Sequence, residues 1–329
     1  MFAKDIGIDL GTANVLIYVK GEGIVLNEPS VVAIDVATRK PLAIGEEAHG
    51  MLGRTPGKVN AIRPLRDGVI ADFEVTEIML GYFIKKIKAK GVFSKPRVLI
   101  CCPSNITQVE KNAIIEAAQR TGAKRVYIEE EPKVAAVGSG MDISKPQGNM
   151  IIDIGGGTSD IAVLSLGDIV TSVSIKVAGN RFDNDIIKYI KDKYKLLIGE
   201  RSAEMIKKEV VTVFPGAKKE VCEVKGRDLV TGLPHSIEIR SSEMEEALRE
   251  SVYVIVSAAK SVLEQTPPEL ASDIIDRGVI ITGGGALLHG LDMLLTEELK
   301  VPVFVADEPL DAVAKGCGVM LDNIQLLNR

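Results

Sequence analysis

Two short segments carry the residue types best suited to chemistry. Ile6-Gly7-Ile8-Asp9-Leu10-Gly11-Thr12 runs into an apolar stretch from Val15 to Val19, and Ile151-Ile152-Asp153-Ile154-Gly155-Gly156-Gly157-Thr158 runs into another from Ile161 to Leu164. Each reads as strand, glycine-rich turn, strand: a hairpin with an aspartate at its tip. Glycine turns let backbone N–H groups approach anionic oxygens with no Cβ in the way. Thr12, Asn14, Thr158 and Ser159 add side-chain donors. Phosphate is the natural guest. Asp9 and Asp153 oppose phosphate unless a cation intervenes, and Mg²⁺ is typically held by one or two carboxylates, water and phosphates. Taken singly, each Asp-x-Gly reads equally well as a carboxylate satisfying turn N–H groups. The pair, together with a third glycine turn at Gly283-Gly284-Gly285, favours a nucleotide.

Three further clusters are weaker. Glu129-Glu130-Glu131-Pro132 follows the strand-like Val126-Tyr127-Ile128. A carboxylate at a strand end can orient water towards a γ-phosphate. Glu131 is the best placed, because Pro132 restricts it to extended geometry; a solvated acidic loop is the plainer reading. Glu204 and Lys207 share one face of an expected helix from Ala203 to Glu209, either towards a ribose and base or as an exposed ion pair. Val92-Phe93 sits in an expected loop flanked by Lys90, Lys95 and Arg97. One buried Phe is worth only ~1.5–3 kcal/mol, so such a tip holds a bilayer only when many act together on one filament. The residues alone favour core anchoring there.

Common fingerprints are missing. Gly57-Lys58 is followed by Val59, so there is no P-loop, and neither GxGxxG nor GxSxG occurs.

The elements that must position these residues alternate between strand and helix, which implies α/β layers. Val75, Ile78, Met79, Tyr82 and Phe83 recur at helical spacing, with Ile87 one turn on. Thr107 with Glu110 forms a capping box, with Gly122 as the stop. Ser242 with Glu245 repeats the box before a long helix that ends ahead of Pro267-Pro268. Asp9 and Asp153 lie 144 residues apart, close to half of the 329-residue chain. That spacing reads as a duplicated fold of two related halves.

Composition bounds the rest. Apolar residues make up 46% and charged residues 26%, which is ordinary globular usage. A formal charge of −5 argues against a duplex nucleic-acid binder and against polybasic membrane anchoring. Four scattered cysteines without CxxC, and three isolated histidines, argue against structural zinc and read as reduced thiols of a cytosolic protein. The N-terminal residues contain no signal-peptide h-region, and no run of 18 apolar residues occurs.

In this order, the glycine turns resemble those of the actin–Hsp70–sugar kinase superfamily. Asp9 to Thr12 is similar to its first phosphate loop, Asp153 to Thr158 to its second, and Thr282-Gly283-Gly284-Gly285 to its adenosine motif. Longer stretches sharpen the resemblance to the MreB family of bacterial actins: Asp5 to Asn14, Asn27 to Val32, Ile62 to Asp72, Glu130-Glu131-Pro132, Thr266 to Leu270 and Ile281 to Gly285. Val15 and Lys133-Val134 bring it nearer to the Mbl (MreB-like) branch.

The resemblance implies an actin-like ATPase fold with ATP and Mg²⁺ in a central cleft. Its two related domains would be 1–144, with a smaller subdomain at about 33–66, and 145–329, with one at about 180–242. Thr12, Ala13, Asn14, Gly156, Gly157 and Thr158 would meet the phosphates, with Asp9 and Asp153 serving the Mg²⁺ through water. Glu204, Met205, Ile206, Lys207, Gly284, Gly285, Ala286 and Leu287 would hold the nucleoside. Glu131 would position the attacking water, helped by Thr158. Val92 and Phe93 fall where relatives insert a loop into the membrane, which reverses the preference for core anchoring.

The function implied is a slow, ATP-hydrolysing cytoskeletal polymer on the inner face of the cell membrane. It would organise cell-wall synthesis and rod shape with the wall-elongation machinery. Asn180 stands where relatives commonly carry Asp, and Ser159 where they carry Thr. A sugar or acetate kinase of the same superfamily would need an acceptor-activating base, and none is evident. An Hsp70-type chaperone would need a peptide-binding domain beyond the ATPase.

Overall fold

The computed structural model describes residues 4–87, 96–104 and 106–323. Val92 and Phe93 lie outside these described residues.

Two five-stranded sheets dominate. In the first, β1 (Ile6–Leu10) and β2 (Asn14–Val19) form the expected hairpin and β3 (Gly23–Pro29) continues it. On the other side of β1, β4 (Arg97–Cys102) and β5 (Arg125–Glu130) run parallel. In the second, β6 (Asn149–Ile154), β7 (Ser159–Ser165) and β8 (Asp168–Ile175) form the meander, and β9 (Val279–Thr282) and β10 (Val303–Val305) add in parallel. The strand orders are β5-β4-β1-β2-β3 and β10-β9-β6-β7-β8, so the two sheets share one topology. Asp9 and Asp153 occupy equivalent places near the end of each central strand. Every residue of β6 and β7 is buried, which matches their apolar centres, Met150 to Ile152 and Ile161 to Leu164.

Each half carries a smaller sheet. Val32–Asp35, Pro41–Ile44 and Val59–Ile62 form one; Leu196–Leu197, Val221–Asp228 and Pro234–Arg240 form the other.

Helices cover the large sheets. In α1 (Phe73–Lys86), Asp72 caps the start by accepting from Val75 N–H at 3.1 Å, and Val75, Met79 and Phe83 form the buried stripe. Tyr82 lies at the edge of that stripe and is exposed. In α2 (Gln108–Arg120), Thr107 and Glu110 make the full capping box, and Gly122 follows in the left-handed region. The long α6 (Ser241–Glu264) departs from expectation at its start. There Glu243 accepts from Arg240 N–H at 3.0 Å, while the Ser241 hydroxyl is engaged with the Glu220 backbone. The cap therefore lies two residues ahead of the expected Ser242–Glu245 box. It ends before the two prolines, as their missing N–H requires.

Two helices join the halves. In α3 (Glu131–Gly138) and α9 (Ala312–Asp322), a Cβ on Gly138 would stand 1.7 Å from the Ala312 carbonyl oxygen, and one on Gly316 would stand 2.0 Å from that of Val134. Only glycine permits this approach. Leaving the second half, α9 returns to the first sheet, where Cys317 Sγ lies 3.1 Å from Cys101 Sγ on β4. Leu99, Val134, Ile151, Ala162 and Cys317 belong to one apolar cluster shared by both sheets. Cys101, Cys102 and Cys317 are buried; Cys222 is half-buried.

Candidate nucleotide-binding cleft

A cavity of about 400 Å³ opens between the sheets, lined by all three glycine turns. The first turn is braced from behind: Ser30 donates its hydroxyl to the Gly11 carbonyl at 2.6 Å and its N–H to the Ala13 carbonyl at 2.8 Å. Asn14, at the head of β2, donates to Asn27 at 2.7 Å. The second turn packs directly on the first. A Cβ on Gly156 would lie 2.7 Å from Ala13 Cβ, and one on Gly157 would lie 2.6 Å from Thr12 Oγ1. These glycines are therefore required for the two halves to meet, as well as for access to an anion.

The third turn leaves β9 and closes against Pro309, whose carbonyl accepts from Gly283 N–H at 2.9 Å and from the Thr282 hydroxyl at 3.0 Å. Gly285 sits against Ile154, with no space for a side chain. Leu287 and Leu310 remain exposed at this end and offer apolar faces to a flat ring.

Acidic groups gather at the other end. Burial pushes Asp9 up to about 7, and burial followed by the nearby Asp160 and Asp9 raises Asp153 well above the carboxylate range. Glu131 is raised by burial first, then by Asp160, Asp9 and Asp153. In all three, burial is the leading cause. Buried carboxylates of this kind call for a cation. Among the described residues no cluster of three or more ligating side chains forms a metal cage. Two facing aspartates beside phosphate-type turns suit an ion that brings waters and phosphates of its own.

The sequence comparison decides the family: the family model described as MreB/Mbl protein matches residues 3–329. The chain belongs to the MreB/Mbl family. The cell shape-determining protein Mbl of Bacillus subtilis is 70% identical over 327 residues, covering 99% of this chain and 98% of that protein. MreB5 of Spiroplasma citri, solved bound to AMPPNP, superposes with a TM-score of 0.94 at 42% identity, covering 98% of this chain and 97% of that one. MamK in a double helical filament has a TM-score of 0.82 at 22% identity, covering 97% and 98%, and bears on the fold alone.

In this MreB/Mbl-family chain the cleft gathers most of the expected residues: Asp9, Thr12, Ala13, Asn14, Glu131, Asp153, Gly156, Gly157, Thr158, Glu204, Lys207, Gly284, Gly285 and Leu287. Met205, Ile206 and Ala286 are not in its lining. Ile206 and Ala286 are buried in the core, and Met205 is exposed. Helix α5 (Glu200–Glu209) turns Glu204, Lys207 and Lys208 towards the cavity instead, as a 3.6-residue repeat dictates. Glu204 and Lys207 do not pair with each other. Glu204 pairs with Lys208 at 2.7 Å, whereas Lys207 donates to Asp183 at 2.9 Å and to the Gly179 carbonyl at 3.2 Å. Glu131 opens α3, and the extended residue before it is Glu130, because Pro132 is accommodated in the first helical turn.

Other lining residues went unremarked in the sequence. Gly68 donates its N–H to Thr12 Oγ1 at 3.1 Å, from a turn in which Asp67 and Gly68 both have positive φ. The Asp-Gly pair announces such a turn, but not its contact 56 residues away. Arg63 reaches across the cleft mouth to Glu200 at 3.9 Å.

Proposed function

We propose that this chain is an ATP-binding, ATP-hydrolysing cytoskeletal protein that polymerises into membrane-associated filaments and takes part in determining cell shape. The observation that carries this reading is the direct packing of the two phosphate-type turns, Gly156 on Ala13 and Gly157 on Thr12, with Glu131 in the same cavity. The relative solved with AMPPNP and the cell shape-determining relatives support it.

The two domains are residues 1–144 and 145–329. Thr12 to Asn14 and Gly156 to Thr158 hold the phosphates. Glu204 and Lys207 flank the ribose, and Gly284 to Leu287 the base. Asp9 and Asp153 would hold Mg²⁺ through water, and the ion would supply charge neutralisation at the phosphates. Glu131 accepts the proton of the attacking water, a role suited to a carboxylate whose burial has raised its pKa. Head-to-tail contacts between copies extend without closing, which gives open filaments. Val92 and Phe93 dip into the inner face of the cytoplasmic membrane, and wall-elongation proteins read the filament. Among the described residues no helix is long and apolar enough to cross a membrane.

The test combines sedimentation with phosphate release in Mg-ATP. Wild type should pellet and release phosphate. Glu131→Ala should still bind ATP while phosphate release slows by about a hundredfold. A wild type that binds ATP but neither pellets nor turns over would sink the reading. Flotation with anionic vesicles tests the membrane contact: Val92→Ser/Phe93→Ser protein should polymerise and stay off the vesicles.

A further inference from the structure

Arg63 is a half-buried cation to which the function above gives no task. It follows the strand Val59–Ile62 of the first small sheet, and its side chain is 22% exposed. Its backbone is fixed on both sides. The strand before it pairs with Val32–Asp35, and the Pro64 carbonyl after it accepts from Ala71 N–H at 2.9 Å and from Asp72 N–H at 3.2 Å. The short hairpin that follows lays its Asp67-Gly68 turn on both phosphate-type turns. There Gly68 N–H donates to Thr12 Oγ1 at 3.1 Å, and a Cβ on Gly157 would stand 3.0 Å from Asp67 N and Cα. Arg63 and Gly68 line the same cavity.

Three lysine and arginine side chains line that cavity: Arg63, Lys207 and Lys208. Two are committed. Lys207 donates to Asp183 and to the Gly179 carbonyl, and Lys208 pairs with Glu204. Arg63 is not. Its one ion-pair contact among the described residues is Nη2 to Glu200 at 3.9 Å, beyond hydrogen-bond reach. A second recess of about 320 Å³ adjoins the cavity at this mouth, with Arg63 on the boundary between the two. A partly desolvated guanidinium with no close acceptor is set for an anion that arrives from outside. A triphosphate bears more negative charge than one divalent cation neutralises, and its terminal phosphate carries the largest share. Guanidinium matches phosphate through two parallel N–H bonds.

We propose that Arg63 contacts the terminal phosphate of bound ATP while Nη2 stays turned to Glu200, which ties that phosphate to both small sheets. The inference rests on the nucleotide reading above. Because the backbone beside Arg63 is fixed, the guanidinium cannot follow the charge inward once the terminal phosphate is gone. Arg63 therefore distinguishes ATP from ADP, and the mouth closes on the first and relaxes on the second. A role confined to the rim has a different signature. Arg63 would then serve only its contact with Glu200, and loss of either partner would act equally on both nucleotides.

The experiment measures equilibrium binding, with Mg²⁺, of a fluorescent non-hydrolysable ATP analogue and of fluorescent ADP. Arg63→Gln should weaken the ATP analogue by about tenfold or more, the loss of one charge-assisted contact. It should weaken ADP by no more than about twofold. Arg63→Lys keeps the charge without the fork and should recover part of the ATP affinity. Glu200→Gln removes only the rim contact and should move both nucleotides alike, by no more than about fivefold. Should Arg63→Gln fail to fold, Arg63→Lys carries the test, with a loss of about threefold expected for the ATP analogue alone.

Equal losses for the two nucleotides overturn the assignment, as does unchanged ATP affinity or an Arg63→Gln protein that behaves as Glu200→Gln does. A wild type that binds neither nucleotide overturns the nucleotide reading itself, and this inference with it.

Discussion

Asp9 shows how one side chain couples ligand, pH and stability. Its ordinary pKa is 3.8 and burial raises it to about 7. Between those values the folded chain keeps a proton that the unfolded chain has released. The Asp9 contribution to nucleotide-free stability therefore falls as pH rises through that window and levels off above about 7. Asp153 and Glu131 push in the same direction. Thermal melts of nucleotide-free Asp9→Asn should show a higher melting temperature than wild type at pH 8 and a narrower gap at pH 5. Parallel pH slopes in the two proteins would remove Asp9 from this account. The aspartate was legible in the sequence because an acid between apolar residues at a glycine turn has few other uses. Arg63 was not, since an arginine ahead of a proline looks like any surface charge until its place in the cleft is seen. Nor was Lys208, which faces the cavity while Met205 and Ile206 do not; a contiguous motif does not say which of its residues share a helix face.

At the scale of elements, hydrophobic period and capping chemistry carried the reading. Asp9 and Asp153 sit on matching strands of two sheets with one topology, as the duplicated hairpins implied. The Thr107–Glu110 box formed, while the Ser242–Glu245 box yielded to one begun at Arg240, because Ser241 is claimed by the neighbouring Glu220 backbone. That contact is tertiary and leaves no local trace. The α3–α9 crossing is equally silent in the sequence, where Gly138 and Gly316 look like ordinary helix glycines. With its Cβ 1.7 Å from a carbonyl oxygen, Gly138→Ala must push the helices apart. It should cost about 3 kcal/mol or more in denaturant unfolding. An unchanged midpoint would mean that this crossing yields freely.

For the whole molecule, the contacts that join the two halves include the shared apolar cluster, the interlocked glycine turns and an ion pair at the rim. The last, Arg63 to Glu200 at 3.9 Å, spans the cleft mouth between the two small sheets. Exposed pairs are worth about 0–1 kcal/mol. Glu200→Gln should therefore speed release of a fluorescent ATP analogue by no more than about fivefold, and high salt should erase the difference. Identical release rates at low salt would show that the rim does not hold the cleft shut.

The thiols have a practical consequence. Burial lifts Cys102 to about 12 and Cys101 well above the usual thiol range. Cys317 is sealed against Cys101, so all three are poor nucleophiles in the folded protein. Cys222 alone is partly open, on the strand Val221–Asp228. A maleimide dye added to the unaltered native chain should therefore attach at a single defined point on the second small sheet, giving an optical reporter of assembly without any engineered cysteine.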